Sequence, residues 1–238
     1  MDAEVSPDAA PAGDLPPPGR IGCGWLGYHR RVLRLHYIPG TAAMAPHAAL
    51  AEAGADYTLA RVEADDDGHR PAAYLALNPW GQVPTLEDGD LVLTESVAIM
   101  LHLADRFPAA GLGAPVGTRA RSELYRWLAY LSSTVQMTYM RWFYPERFTT
   151  DPEGAAAIHG CASASLHRHN DWIDGELATR PWLVGDERTG ADLFLFMLTR
   201  WGREDDPPAR DRPHLGNHFN RLLERPGVQR MMSEQGLD

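Results

Sequence analysis

The stretch "YIPGTAAM", residues 37–44, places hydroxyl side chains beside the predicted N-terminus of a helix. Free N–H groups and the positive end of the helix dipole stabilise a thiolate or an oxyanion at such a terminus. The hydroxyl of Thr41 or the phenol of Tyr37 could hydrogen-bond a ligand's thiolate there, since a thiol with a pKa near 8.5 needs only modest help to ionise. Thr41 is equally well explained as an N-cap, and a buried core position is the better interpretation of Tyr37. Ala42 and Ala43 bring no reactive group.

A second group of polar residues lies in "GQVP" and "TES". Glu95 and Ser96 open a predicted helix, so the N–H groups there and the Ser96 hydroxyl could bind a carboxylate, and Glu95 could accept from an α-amino group. Val83 precedes Pro84 at the start of a strand, where its N–H and C=O are free to pair with an extended peptide, and a cis bond before Pro84 is plausible. Gln82 adds an amide contact. Thr94 is the predicted cap of this helix, and Thr94, Glu95 and Ser96 could instead merely cap it without binding a ligand. The neighbouring "QVP" favours a ligand site.

The stretch "VQMTYMRWFYPERF", residues 135–148, concentrates aromatic residues on one predicted helix. Aromatic residues at helical spacing belong to the core more often than to a binding site. We expect some of these side chains to be buried and others to line a pocket. Arg141 could bind an acidic group or remain solvated. The histidines and cysteine of "HGCASASLHRH", residues 159–169, point to different faces of a helix, which makes a zinc site improbable. We expect no metal.

The elements that must position these residues follow from hydrophobic spacing and turn residues. Strands are predicted over 31–38 and 56–64, a helix over 43–53, a hairpin around "EDGD", and a helix over 94–107. This order describes a small α/β unit over 31–107. Residues 108–118 are rich in Gly and Pro and predict a linker. Residues 119–238 predict helices alone, and residues 1–30 predict a disordered tail. The helices are expected over the following ranges: 118–142, 152–179, 189–202, 215–224 and 227–234.

Composition excludes several classes of protein. The formal net charge of −10 and the absence of a basic stripe argue against nucleic-acid binding. There is no lysine, which excludes Schiff-base chemistry. The two cysteines form no disulfide framework, and a reducing cytoplasm fits them best. No apolar run is long enough to span a membrane, and the N-terminus lacks a signal-peptide pattern, so we expect a cytoplasmic protein without a membrane partner.

Three motifs carry a resemblance to a known family: "Y-x-P-G" with "APHAALAEAG", "NPWGQVPTL" with "LTES", and "LVGDERTGADLFLFMLTRW". The chain resembles a cytosolic glutathione transferase, closest to the bacterial Beta class, from about Val32 onwards. The resemblance implies a thioredoxin-like α/β N-terminal domain and an all-α C-terminal domain. It also implies a capping box from Thr189 to Asp192. The implied glutathione-binding residues are Gln82, Val83, Pro84, Glu95, Ser96 and Ser133. The implied second-substrate pocket comprises Gln136, Tyr139, Arg141, Trp142 and Tyr144.

The resemblance weakens at the reacting centre. The Beta class typically has a cysteine where this chain has Ala42, and often a serine where it has Ala43. Asp67 replaces an expected lysine, so an attractive charge for a glycyl carboxylate becomes a repulsive one. Ala129 stands in place of an asparagine. A His-Lys pair is replaced by Gln136 and Met137.

These features predict an enzyme that adds a thiol to, or isomerises, a small electrophilic substrate, with glutathione as co-substrate and no catalytic cysteine. Thr41 and Tyr37 are the candidate catalytic residues. The alternative is a protein of this fold that has lost glutathione chemistry and binds or converts an apolar specialised metabolite. The resemblance also implies a homodimer, with Trp80 as a candidate contact, and a role in detoxification or specialised metabolism.

Overall fold

The computed structural model describes residues 32–65, 68–151 and 153–238. The predicted tail over 1–30, Cys23 and Asp67 lie outside the described residues. Val32–Asp238 form one compact unit. An α/β part comes first and a helical part follows, in the order predicted from the sequence.

The α/β part is built on a mixed four-stranded sheet in the order β2-β1-β3-β4. Its strands are β1 (Leu33–Tyr37), β2 (Tyr57–Arg61), β3 (Thr85–Asp88) and β4 (Leu91–Thr94). The parallel pair β1–β2 needs a crossover, which α1 (Met44–Glu52) supplies. The hairpin β3–β4 turns at Gly89, which has a positive φ of 67°. Helix α2 (Ala72–Leu75) is a single turn, and α3 (Ser96–Arg106) ends this part.

The helical part consists of six further helices and short 3-10 turns. The helices are α4 (Arg119–Tyr130), α5 (Gln136–Phe143), α6 (Gly154–Leu177), α7 (Gly190–Trp201), α8 (Pro213–Leu223) and α9 (Pro226–Gln235). A π-helical turn, Leu131–Val135, joins α4 to α5, where the sequence predicts one continuous helix. None of the helices described is both long and apolar enough to cross a bilayer.

Helix α7 lies at the centre of the helical part. Apart from half-buried Arg200, every one of its residues is buried, which fits its run of large apolar side chains. Its N-terminus begins at the predicted capping box, which is confirmed: the Asp192 carboxylate accepts from the Thr189 N–H at 2.8 Å and from the Thr189 hydroxyl at 3.2 Å. The same carboxylate accepts from the Leu183 N–H at 2.9 Å and from His218 Nε2 at 3.0 Å.

Helix α1 packs against α9 and α7, and so joins the sheet to the helical part. Glu52 at the end of α1 has a buried carboxylate that contacts Arg225 at 2.6 Å and Arg188 at 3.2 Å, and it accepts from the Gly227 N–H. A Cβ on Gly227 would lie 2.6 Å from the Glu52 Oε1 atom, so glycine permits this approach of α9 to α1.

We predict that Asp192→Ala lowers the free energy of unfolding by about 2–4 kcal/mol, because the buried N–H groups of Thr189 and Leu183 and the His218 ring lose their acceptor. Urea denaturation measures this change. The matched control, Asp186→Ala at an exposed loop position, should stay within about 0.5 kcal/mol of the native protein. Equal stability of the two variants would contradict the structural role of the box.

Candidate active site

The register of the sheet brings three segments together at one end of its strands. His36 of β1 pairs with Thr85 of β3, and Thr85 pairs with Thr94 of β4. The turn that follows β1, the Val83–Pro84 bond that precedes β3, and Glu95 and Ser96 that follow β4 therefore lie at the same end of the sheet. The residues that the sequence suggested separately are thus positioned together by ordinary strand pairing.

The turn between β1 and α1 is fixed by contacts to the helical part. Gly40 has a φ of 73°, a conformation that L side chains rarely adopt. Its N–H donates to the Gln235 amide oxygen at 3.0 Å, and its carbonyl accepts from the indole N–H of Trp201 at 2.8 Å. Neither Gln235 nor Trp201 was predicted as a site residue, because nothing in the local sequence shows which distant turn they contact.

The Thr41 side chain is already hydrogen-bonded within the turn. Its hydroxyl donates to the Ile38 carbonyl at 2.7 Å and accepts weakly from the Ala43 N–H at 3.5 Å. The hydroxyl can donate to a ligand only by leaving the Ile38 carbonyl. The Ala42 N–H, in contrast, has no hydrogen-bond partner among the described residues. It is thus the group of this turn that is free to face a ligand.

Tyr37 occupies a core position at the end of β1. Its residue is 9% exposed, and its ring lies 6.3 Å from the ring of His47 with an edge-on orientation. This environment agrees with the core interpretation of Tyr37 rather than with a phenol presented to a ligand.

Helix α3 presents its first turn to the β1–α1 turn. Ser96 is buried, and its hydroxyl donates to the Ala42 carbonyl at 3.3 Å. Glu95 is exposed and has a φ of 68°, the only positive φ outside glycine among the described residues. Such backbone strain is typical of residues whose position serves a site. The sequence predicted that Thr94 caps α3, but the cap position is Glu95, and no side chain caps the helix.

The segment before β3 adds unpaired backbone groups to the site. The Val83–Pro84 bond is cis, as the sequence suggested, and Pro84 is buried. The Gln82 carbonyl accepts from Asn78 Nδ2 at 2.8 Å and from the Tyr74 hydroxyl. Gln82 itself is exposed. Within the described part of the chain, neither backbone polar group of Val83 has a main-chain partner. This free N–H and C=O could pair with an extended ligand.

The predicted second-substrate residues on α5 divide into buried and exposed side chains. Tyr139 is fully buried between Phe143 and Trp201, so it belongs to the core and does not line an open pocket, and burial raises the pKa of its phenol. Trp142 is half-buried and stacks on His159 of α6 at 5.4 Å. The sequence could not show which of Tyr139 and Trp142 is buried, because residues three positions apart lie on the same face of a helix.

The remaining predicted residues are more accessible. Arg141 and Tyr144 are exposed, and Gln136 is half-buried. The Arg141 guanidinium donates to the Met137 carbonyl at 3.0 Å and lies 5.2 Å from the Phe148 ring centre. Ser133, in the π-helical turn, is exposed and donates to the Ala129 carbonyl at 2.6 Å.

A buried polar network connects the turn to α9. Gln235 accepts from Gly40 through its oxygen, so its amide nitrogen donates to His47 Nδ1 at 3.0 Å. Nδ1 is then an acceptor, and the proton of a neutral imidazole lies on Nε2, 2.8 Å from Glu234. Burial lowers the pKa of His47 against the opposing effect of its hydrogen bond to the Glu234 carboxylate, which agrees with the neutral ring.

Glu234 is the charged member of this network. Burial favours its neutral form, but hydrogen bonds from Arg230, Tyr57 and His47 outweigh burial and lower its pKa to about 2. The Tyr57 hydroxyl donates to Glu234 at 2.7 Å, and burial raises the pKa of Tyr57. Glu234 thus stays ionised at neutral pH. Among the described residues, no group of three His, Cys, Asp or Glu side chains could hold a metal ion.

Comparison with known proteins decides the family. The family model "Glutathione S-transferase, N-terminal domain" matches residues 31–105, and "Glutathione S-transferase, C-terminal domain" matches residues 162–226. The chain belongs to the glutathione S-transferase family. The α/β part with its mixed sheet and the helical part thus form the glutathione transferase fold, with a thioredoxin-like first part, as the resemblance implied.

Several bacterial glutathione S-transferases are similar to this chain over their whole length. Glutathione S-transferase GstA of Escherichia coli O157:H7 is 34% identical over 86% of this chain and all of its own. A sphingomonad glutathione S-transferase, solved in complex with glutathione, is 32% identical with a TM-score of 0.74, over 86% of this chain and all of that one. A Beta-class enzyme of Sphingomonas chungbukensis is 31% identical with a TM-score of 0.74 and the same coverage. These names support a glutathione transferase-like enzyme.

Proposed function

We propose that this transferase binds glutathione at the end of the sheet where these three segments meet. The enzyme adds the glutathione thiol to a small electrophile, or uses the thiol to isomerise the electrophile, without a catalytic cysteine. The observation that carries the proposal is the contact between Ser96 and Ala42, at 3.3 Å. The contact joins the N-terminus of α3, our candidate carboxylate-binding group, to the turn at which a relative of the Beta class typically has its cysteine. The sphingomonad relative, solved in complex with glutathione, supports the co-substrate.

The binding part of the site would hold the γ-glutamyl and cysteinyl portions of glutathione. The first N–H groups of α3 can receive the γ-glutamyl carboxylate, joined by the Ser96 hydroxyl when its proton turns from the Ala42 carbonyl to the ligand. Glu95 can accept from the α-amino group. The free backbone of Val83 can pair with the cysteinyl unit in the manner of an added strand, with Gln82 beside it. Ser133 stays a predicted contact from the helical part. The expected glycyl contact at Asp67 lies outside the described residues.

The reacting part of the site would act by electrostatics. The glutathione thiol loses its proton to solvent, and the Ala42 N–H with the α1 dipole stabilises the thiolate. In an addition, the thiolate forms a bond to the electrophilic carbon of a conjugated double bond, the π electron pair moves to the neighbouring carbon, and that carbon takes a proton from solvent. In a substitution, the leaving group departs from the same carbon with the electron pair of its broken bond. The dipole contributes about 0.3–1 kcal/mol at such a site, which is less than one pKa unit. We therefore expect slow conjugation of generic electrophiles. Arg141 and Tyr144 are exposed and stay proposed second-substrate residues.

A second candidate function follows from the Thr41 contact. Because its hydroxyl donates to Ile38 and the neighbouring residues are alanines, no side chain of the turn is free to activate a thiol. The protein could then bind or convert an apolar specialised metabolite without glutathione chemistry. For both candidate functions, we propose a role in detoxification or specialised metabolism and a cytoplasmic location.

Titration calorimetry with glutathione tests the site. Ser96→Ala should weaken binding about tenfold to a hundredfold, because the ligand carboxylate loses a charge-assisted donor worth about 1.5–3 kcal/mol. Ser165→Ala is the matched control, since this helical serine donates only to the Cys161 carbonyl. Unchanged affinity in Ser96→Ala would place glutathione elsewhere. No binding to the native protein would favour the glutathione-free function.

We predict that Ala42→Cys forms a mixed disulfide when incubated with oxidised glutathione, because the new thiolate would lie at the α1 terminus beside the bound peptide and release one glutathione thiol. Intact-protein mass spectrometry measures the adduct. Ala53→Cys is the control, half-buried like Ala42 but at the opposite end of α1. Failure of Ala42→Cys to react, or equal reaction at both positions, would contradict the thiol-binding role of this turn.

We also propose a homodimer, since the family is usually dimeric and Trp80 is 85% exposed in the loop after α2. Burial of an indole at an interface stabilises association strongly. Light scattering should show a dimer for the native protein at micromolar concentration and a shift towards monomer for Trp80→Ala. Phe148→Ala, which removes another exposed aromatic ring, should leave the dimer intact. A native protein that is only monomeric would refute this proposal.

A further inference from the structure

Three aromatic rings connect the β1–α1 turn to the C-terminal end of α5. The indole N–H of Trp201 donates to the Gly40 carbonyl at 2.8 Å. The Phe143 ring lies edge-on to the Trp201 ring, with 6.0 Å between their centres, and the Tyr144 ring lies 6.0 Å beyond Phe143. We call Trp201, Phe143 and Tyr144 the aromatic row. The row leads from the turn that we propose for the thiolate to the surface of the helical part.

The two outer rings of the row are accessible to a ligand. Trp201 is buried, whereas Phe143 is 37% exposed and Tyr144 is 38% exposed. Phe148, in the 3-10 turn that follows α5, adds a third exposed ring. Neighbouring exposed aromatic rings are typical of a surface that binds a ligand or a partner. A flat hydrocarbon body can pack on the faces of such rings.

A guanidinium group ends the row. The centre of the Arg147 guanidinium lies 4.0 Å from the centre of the Tyr144 ring. The main chain holds this arrangement, since the Arg147 N–H donates to the Tyr144 carbonyl at 3.0 Å. Among the described residues, the Arg147 side chain has no carboxylate partner and no hydrogen bond. Stacking on a ring orients a guanidinium and leaves the donors at its edge free for a carboxylate.

The charges near the end of the row favour an anion. Residues 136–148 contain two arginines, Arg141 and Arg147, and a single acid, Glu146. In the part of the chain that the structure describes, Glu146 pairs with neither arginine. The Arg141 guanidinium lies 5.2 Å from the Phe148 ring centre. The segment thus has a local charge of +1 in a chain whose net charge is −10, so it attracts an anion that the rest of the surface repels.

We propose that the second substrate is a flat conjugated electrophile that carries a carboxylate at the end remote from its reacting carbon. The inference rests on the proposed function and names the class of electrophile. The reacting carbon lies beside the β1–α1 turn, the hydrocarbon body packs on Phe143 and Tyr144, and the carboxylate accepts two hydrogen bonds from Arg147. Arg147 is therefore a specificity-determining residue, and Arg141 adds attraction over a longer distance.

The sequence alone did not single out Arg147. An arginine next to a glutamate in a turn reads as a solvated charge, and the stacking on Tyr144 is visible only in the folded chain. The reaction itself needs no further reagent. The glutathione thiolate bonds to the β-carbon of an unsaturated ketone, the π electron pair moves to the α-carbon, and the α-carbon takes a proton from solvent.

The probes are 4-(3-oxobut-1-enyl)benzoate and the corresponding benzamide, which has the same body without the charge. Loss of the enone absorbance at saturating glutathione gives kcat and KM, and division by the rate without protein removes the difference in intrinsic reactivity. The corrected kcat/KM should be about tenfold higher for the benzoate, mainly through KM, and this preference should decrease with added salt.

Arg147→Gln should lower the preference for the benzoate about threefold to tenfold, because the stacked side chain loses its charge and its paired donors. Arg147→Lys keeps the charge without the fork of donors and should lower the preference less. Arg168→Gln, at an exposed position on α6, is the matched control and should keep the preference of the native protein. Circular dichroism checks that each variant folds.

Several results would overturn this inference. Equal corrected rates for the two probes would leave conjugation, and with it the proposed function, intact but would remove the acidic substrate class. An equal loss of preference in Arg147→Gln and Arg168→Gln would show only attraction by overall charge. If neither probe reacts, calorimetry with the saturated analogue 4-(3-oxobutyl)benzoate decides: binding that Arg147→Gln weakens supports the recognition of the acid, and absence of binding refutes it. The glutathione affinity of the native protein tests the proposed function separately.

Discussion

The two backbone hydrogen bonds of Gly40 are the constraint on which the candidate site depends. Its N–H and its carbonyl are both bonded, one to Gln235 of α9 and the other to Trp201 of α7. The turn that begins α1 is thus held by the helical part as well as by its own local hydrogen bonds. Ser96 contacts the same turn from α3. The geometry of the candidate site is therefore in large part a product of packing between the sheet and the helices, and α1 lies at the centre of that packing.

The chemistry of the site follows from what this turn leaves unpaired. The side-chain hydroxyl of Thr41 is occupied, whereas the Ala42 N–H is free among the described groups. A backbone donor at a helix terminus is permanent and cannot be oxidised, in contrast to a cysteine thiolate. Its stabilisation of an anion is small. A site of this kind suits a substrate that is intrinsically reactive, or a reaction in which binding and orientation contribute more than activation of the nucleophile.

Much of the fold could be predicted from local pattern, and much of the site could not. The hairpin around Gly89, the box at Thr189 and Asp192 and the two strands β1 and β2 follow from turn chemistry, capping and alternation, which act over a few residues. The burial of Tyr139 and the contacts of Gly40 depend on residues far along the chain. Periodicity shows that a helix has an apolar face, but it does not show which partner that face meets. The π-helical turn at Leu131–Val135 interrupted a helix whose pattern predicted continuity.

The distances along the chain that separate Gly40 from its two partners have a consequence for biosynthesis. Trp201 follows Gly40 by 161 residues and Gln235 by 195 residues. A nascent polypeptide on the ribosome can complete the sheet-forming segments long before either partner has been translated. The β1–α1 turn acquires the Gln235 contact only after α9 has emerged and docked. Premature termination that removes α9 would yield a chain in which every residue of the β1–α1 turn is encoded, yet without one of the contacts that shape the turn.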